Sequence, residues 1–197
     1  MTIAYKFKNG LYLNITNRCS CRCRFCLKFK NNWKFYKYNL HLKREPTTRE
    51  ILSAIRPYLR DKQISEFVFC GYGEPLIRLP VVKEVAAYLK KHQRRVRINT
   101  SGQANLYWQK NILPELKGLI DEITISLNST SARQYTYWHR PRWKDKTYPA
   151  VLDFIRQAKK FIPVVTISAV KIPGIDESYF RRLAKKLKVN LRLRPYL

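Results

Sequence analysis

Apolar residues in this chain follow two periods in alternation, and nothing else in the sequence limits its fold so tightly. Strand-like spacing occupies 10–16, 64–70, 95–99, 122–128, 164–170 and 189–194. Helical spacing separates most of these runs. Thr47, Thr48, Arg49 and Glu50 read as a capping box ahead of Ile51, Leu52, Ile55, Tyr58 and Leu59 on one helical face. Val82, Val85, Ala86 and Leu89 mark the next helix, and a weaker one around 105–116 is interrupted at Pro114. Val151, Phe154, Ile155, Ala158 and Ile162 mark a fourth, and Phe180, Leu183, Ala184 and Leu187 a fifth. Strands alternating with helices imply an α/β fold of parallel βαβ units. With no Gly-, Ser- or Pro-rich linker and no internal repeat, one domain is expected over residues 1–197. Six units are too few for an eight-fold barrel, which leaves an open doubly wound sheet or an incomplete (βα)6 barrel of TIM type.

Strand parity chooses between them. Leu11, Leu13 and Ile15 share one face, with Tyr12, Asn14 and Thr16 on the other. Ile123, Ile125 and Leu127 oppose Thr124, Ser126 and Asn128; Val165, Ile167 and Ala169 oppose Thr166 and Ser168; Val189, Leu191 and Leu193 oppose Asn190, Arg192 and Arg194. A parallel sheet covered on both faces reads as nearly continuous apolar runs. An apolar exterior and a polar lumen fit the incomplete barrel instead.

Charge and cysteine usage bound the function. Lys and Arg number 40 against 13 Asp and Glu, a net +27, which points to an anionic partner because such an excess repels itself in a folded chain. No apolar run approaches the ~20 residues a membrane helix needs, and the N-terminus lacks a secretory pattern, so the expected compartment is the cytoplasm. Four of the five cysteines lie between Cys19 and Cys26, which argues for a metal or reactive site over a disulfide framework. Cys19, Cys23 and Cys26 have the spacing C-x3-C-x2-C. Three thiolates suit a four-iron cluster with one iron left open. A structural zinc site wants four ligands, which Cys21, His41 or Cys70 would complete. Spacing alone leaves both open.

The stretch from Cys19 to Cys26, with Phe25 before the last cysteine, resembles the C-x3-C-x-aromatic-C signature of the radical S-adenosylmethionine (SAM) superfamily. Gly71-Tyr72-Gly73-Glu74-Pro75 looks like its GGEP motif, Asn99-Thr100-Ser101-Gly102 like its TNG segment, and Ser126-Leu127-Asn128 like the strand end carrying a ribose-contacting Ser. Four motifs in order, each at a strand's C-terminal end, carry the resemblance over the whole chain. More narrowly, residues 11–19, 69–75, 125–128 and 192–196 resemble the short radical SAM proteins found beside TatD-type nucleases.

The resemblance implies a 4Fe-4S cluster on Cys19, Cys23 and Cys26, and SAM chelated to the open iron. One-electron cleavage of SAM would then give a 5′-deoxyadenosyl radical, with an electron donor such as flavodoxin or ferredoxin. Gly71 to Pro75 would approach the methionine group, with Glu74 as an acceptor. Thr100, or Asn99 by parity, and Ser126 would contact SAM, Arg140 its carboxylate and Val170 its adenine; Phe25, Tyr72 and Asn128 belong to the same motifs. Cys21 is a spare thiol on this reading, Cys70 a small buried residue, and His41, His92 and His139 share no metal spacing.

Residues 1–45 carry eleven Lys or Arg against one acid. The segments 28–38 and 135–144 interleave cations with aromatics, a pattern suited to single-stranded nucleic acid or to a lid on an open barrel. Arg192 and Arg194 point into the lumen, where they should meet Glu74 or an anionic substrate. The expectation is a radical SAM enzyme acting on an anionic substrate such as a nucleotide or RNA, with a functional link to a TatD-type nuclease. The alternatives are an activase that makes a glycyl radical on a partner protein, and a non-catalytic Fe-S or zinc nucleic-acid-binding module.

Overall fold

The computed structural model describes residues 1–196. Its strands are β1 (Ala4–Phe7), β2 (Gly10–Leu13), β3 (Lys34–Phe35), β4 (Tyr38–Asn39), β5 (Glu66–Phe69), β6 (Val96–Thr100), β7 (Glu122–Ser126), β8 (Val164–Val170) and β9 (Asn190–Arg194). Its helices are α1 (Leu27–Lys30), α2 (Thr48–Ile55), α3 (Leu79–Lys91), α4 (Ala104–Trp108), α5 (Ala132–His139), α6 (Thr147–Ala158) and α7 (Glu177–Leu187). One seven-stranded sheet runs in the order β1-β2-β5-β6-β7-β8-β9. Within it β2 and β5 through β9 pair in parallel, and β1 adds an antiparallel edge. The order never reverses, whereas a doubly wound sheet needs a switch point. Right-handed crossovers in one direction therefore stack the helices on one face and leave the other as a lumen. The fold is an incomplete barrel.

Burial follows the parity of the strands. Leu11, Leu13, Phe67, Phe69, Ile98, Ile123, Ile125 and Ile167 are fully buried, in one core with Val82 and Val85 of α3, Phe154 and Ile155 of α6 and Phe180 of α7. Burying each such side chain contributes ~1.5–3 kcal/mol, so the outer face holds the sheet to its helices. Register then sets the lumen in rows: Ser126 beside Ser168 beside Arg192, and Val170 beside Arg194. The Thr47 capping box forms as expected, with Glu50 closing it.

Several elements differ from expectation. The first strand leaves its ladder after Leu13, because Asn14 turns its amide to the carbonyls of Thr2 and Leu40. The helix expected over 105–116 splits into α4 and a 3-10 turn, Leu113–Leu116, with Pro114 in its first turn. β1 was not anticipated, so the sheet is not wholly parallel. Its Tyr5 pairs with Tyr12 and shares the lumen face with Phe7. The β3–β4 hairpin packs on both: Phe35 lies 5.1 Å from Phe7 and 5.7 Å from Tyr5, and Tyr38 5.4 Å from Tyr5. Half of the first basic–aromatic segment is thus a strap over the inner face of the β1–β2 edge.

Candidate active site

Because β2 and β5 through β9 run parallel, their C-terminal ends meet at one mouth of the barrel, where a cavity opens. Its wall includes Cys19, Cys21, Cys23 and Phe25 from the loop after β2, Cys70, Gly71, Gly73 and Glu74 after β5, and Asn99, Thr100 and Ser101 at the end of β6. Thr124, Ser126, Asn128, His139, Ser168, Arg192 and Arg194 complete it.

The cysteine loop is pinned by backbone bonds to a distant segment. Arg22 and Arg24 N–H groups donate to the carbonyls of His139 and Trp138, Arg142 N–H donates to Ser20, and Cys21 bridges Pro141. Gln103 fixes the loop from below. It accepts from Ser20 Oγ at 2.8 Å, and its amide donates to Cys21 Sγ at 2.7 Å and to Tyr135 Oη at 2.9 Å. Cys26 caps α1 through its backbone, with the Phe29 N–H on its carbonyl, and stands outside the cavity wall. Thiols buried beside one another resist ionisation: Cys19 is raised by its hydrogen bond to Cys21 and by burial, Cys26 by burial.

The glycine loop serves close packing first. A Cβ at Gly71 would collide with Asn14 Oδ1, and one at Gly73 with the carbonyl of Thr16, with that of Arg18 at 2.8 Å. These glycines let the loop after β5 lie against the loop that carries the cysteines. Glu74 is buried, with its carboxylate taking the Ser101 N–H at 2.6 Å, the Thr100 hydroxyl at 2.8 Å and the Leu76 N–H at 3.1 Å. Burial nonetheless raises its pKa. Pro75 is buried in the 3-10 turn that Glu74 caps. Tyr72 donates to the Lys34 carbonyl at 2.7 Å and so anchors the hairpin.

Several sequence-assigned side chains are therefore occupied elsewhere. Thr100 spends its hydroxyl on Glu74, while Asn99 faces the lumen and accepts from Arg97 at 2.7 Å. Asn128 clamps β7 to β8 by accepting the Val170 N–H at 2.8 Å, and the Val170 side chain is not part of the cavity wall. Arg140 is exposed at the left-handed cap of α5, outside the cavity. Arg192 and Arg194 do not pair with Glu74. Arg192 reaches Glu122 at 3.7 Å, and Arg194 reaches Ser168 Oγ at 3.5 Å with its pKa lowered by desolvation and by Arg192. Ser126 and Ser168 face each other at 3.4 Å.

Two residues to which the sequence gave no role shape the site, His139 in the cavity wall and Gln103 behind the cysteine loop. His139 is buried, stacked on Tyr135 at 4.0 Å and edge-on to Phe25 at 5.3 Å, with Nδ1 3.6 Å from Cys23 Sγ. Desolvation lowers its pKa to about 3, so the ring is neutral. The ligand atoms of Cys21, Cys23 and His139 lie within 4.8 Å of one another, which draws the supposedly spare thiol into the site. Gln103 is the other omission. Its place directly after the Asn99–Gly102 motif was the available signal; His139, in an aromatic helix without an apolar stripe, had none.

A model of the Radical SAM superfamily matches residues 13–187. The chain belongs to the radical SAM superfamily. It is 28% identical to the Homo sapiens molybdenum cofactor biosynthesis protein 1 over 95% of this chain and 28% of that protein. It is 28% identical to the Geobacter sulfurreducens dual-specificity RNA methyltransferase RlmN over 93% of this chain and 51% of that protein. The chain thus spans about a quarter and about half of these two relatives. Streptococcus suis SuiB bound to S-adenosylmethionine shares the fold with a TM-score of 0.67 at 13% identity, over 96% of this chain and 41% of that one.

The superfamily's cofactors are a 4Fe-4S cluster and SAM, and the cavity wall fits them. It presents thiols suited to iron and sulfide. It also buries polar atoms with no hydrogen-bond partner among the described residues, Thr124 Oγ1 and His139 Nε2 among them, which a polar occupant would satisfy. Among the described residues no helix is long and apolar enough to cross a membrane.

Proposed function

We propose that this chain is a radical SAM enzyme that acts on an anionic substrate, a nucleotide or nucleic acid. The observation that carries the reading is the convergence of the cysteine loop, the glycine loop and the Arg192–Arg194 pair on one cavity. Cys19, Cys23 and Cys26 would hold the cluster, with Cys21 beside them. When bound, cluster and SAM supply a one-electron cleavage that yields methionine and a 5′-deoxyadenosyl radical able to take hydrogen from substrate.

The protein's part is placement and shielding. Ser126 and Ser168 offer hydroxyls to a ribose, and Arg192 and Arg194 two guanidiniums to an anionic group. Phe25 and His139 close the wall behind the thiols and exclude water there. The RNA methyltransferase among its relatives and the +27 charge support a nucleic-acid substrate. A flavodoxin or ferredoxin is the class of donor that fits the one-electron step. The resemblance of residues 69–75 and 192–196 to TatD-associated proteins supports a functional link to such a nuclease.

Anaerobic reconstitution with iron and sulfide, then dithionite and SAM, tests the reading through 5′-deoxyadenosine measured by mass spectrometry. The expected result is deoxyadenosine that disappears in Cys23→Ala. A protein that loads only zinc and leaves SAM intact overturns the reading in favour of a non-catalytic nucleic-acid-binding module.

A further inference from the structure

Three of the four exposed aromatic rings are gathered in one place, and the fourth, Tyr36, lies in the β3–β4 hairpin. Among the described residues the exposed large apolar side chains are Met1, Phe29, Tyr36, Tyr137 and Tyr196, and three of the four aromatics surround the cysteine loop. Phe29 lies on α1, which begins directly after Cys26, and is 61% exposed. Tyr137 lies on α5, whose end is laddered to residues 22–24, and is 54% exposed. The Arg24 guanidinium sits 4.2 Å from its ring centroid and donates to its carbonyl at 3.0 Å. Tyr196 stands two residues beyond Arg194, and the Lys30 ammonium lies 4.3 Å from its ring, so α1 and the end of β9 meet across the mouth of the barrel.

Packing covers these rings only in part: Phe29 lies 4.8 Å from the Lys28 ammonium and Tyr137 meets Trp138 edge-on at 5.2 Å, yet both stay more than half exposed. In the hairpin, Phe35 and Tyr38 are used against Tyr5 and Phe7, and Tyr135 is buried under His139. The rim rings instead leave a face to water beside exposed cations. Arg22, Arg24 and Arg140 form no ion pair among the described residues. Arg140 is bonded through its own N–H to Thr136 and sits next to Pro141 on the ladder with the cysteine loop, so its charge belongs to this rim. A phosphodiester chain matches the cations, and unstacked bases match the rings; a duplex offers only the former.

We propose that the rim formed by Phe29, Tyr137 and Tyr196 with Arg22, Arg24 and Arg140 is a docking site for single-stranded nucleic acid. The rings stack bases and the guanidiniums pair phosphates, with the strand lying across the mouth of the cavity. The proposal rests on the reading above only for what lies beneath the rim; strand binding itself requires neither iron nor SAM.

Fluorescence anisotropy on the reconstituted protein tests it, with a labelled mixed-sequence 12-nucleotide RNA, the DNA of the same sequence and a blunt duplex as probes. Single strands are expected to bind at least tenfold more tightly than duplex. The triple variant Phe29→Ala, Tyr137→Ala, Tyr196→Ala should lose at least tenfold in strand affinity while keeping the wild-type salt slope, because no phosphate-pairing cation is removed. Phe29→Trp with Tyr137→Trp should retain affinity. SAM affinity of the triple variant, by equilibrium dialysis, should match wild type. Duplex bound as tightly as single strand, or unchanged binding by the triple variant, overturns the proposal. Deoxyadenosine formation, measured separately, then shows whether the cofactor reading survives without it.

Discussion

The two sides of the lumen are built to different tolerances. From β2 to β6 the main polar contacts are short. Arg97 grips Glu66 through two bonds of 2.7 and 2.9 Å, Glu74 holds Ser101 at 2.6 Å and Thr100 at 2.8 Å, and Asn14 holds Leu40 at 2.9 Å. From β7 to β9 the contacts lengthen to 3.4 Å between Ser126 and Ser168, 3.5 Å from Arg194 to Ser168 and 3.7 Å from Arg192 to Glu122. Contacts that long retain little of a hydrogen bond's strength. One wall satisfies itself and fixes the loops that carry the thiols. The other keeps donors in reserve, which is what a wall that receives a polar ligand requires.

The largest effect should come from breaking the tight wall at its base. Arg97 is 3% exposed, and burial alone would raise the Glu66 carboxyl, yet the guanidinium holds it below its ordinary value. Arg97→Met strands that carboxylate, and urea unfolding should show a loss of about 3 kcal/mol. A loss under about 1 kcal/mol would mean the wall is no tighter than its opposite. Gly73→Ala should cost somewhat less, about 2 kcal/mol, as overpacking does. Since the new Cβ meets backbone carbonyls of Thr16 and Arg18, the cysteine loop must shift, and iron content after reconstitution should fall with stability. Normal iron loading in that variant would show that the loop does not depend on the glycine contact.

The slack wall should respond least in stability. Arg194→Leu removes a guanidinium with one long contact and no carboxylate partner among the described residues, so unfolding free energy should move by less than about 0.5 kcal/mol. Nucleotide affinity should drop while SAM affinity holds. A drop in SAM affinity instead assigns the guanidinium to the SAM carboxylate, a role left open by the outward position of Arg140.

Much of this was legible in the residues themselves. Period and parity gave the strands, the polar lumen and the barrel, because both depend on local alternation. The motif loops followed from their positions at strand ends. Partner choice was not legible. Arg192 finds Glu122 because register, not sequence distance, sets β7, β8 and β9 side by side. Thr100 gives its hydroxyl to Glu74, 26 positions away in the chain, a pairing that strand parity alone does not foretell. Arg140 turns outward because α5 ends in a left-handed residue, and α5 was invisible without an apolar stripe. β1 is four residues long, too short for alternation to register against noise.

The ladder between the cysteine loop and residues 138–142 has a consequence in time. Cys23 and His139 are separated by 116 positions. At ~5–20 residues per second a ribosome takes roughly 6–23 s to cover that interval. Throughout it the thiols have emerged while the backbone that will hold them has not. The nascent loop is thus open to whatever metal or oxidant it meets, and a correctly built site depends on delivery after the second half of the chain has arrived.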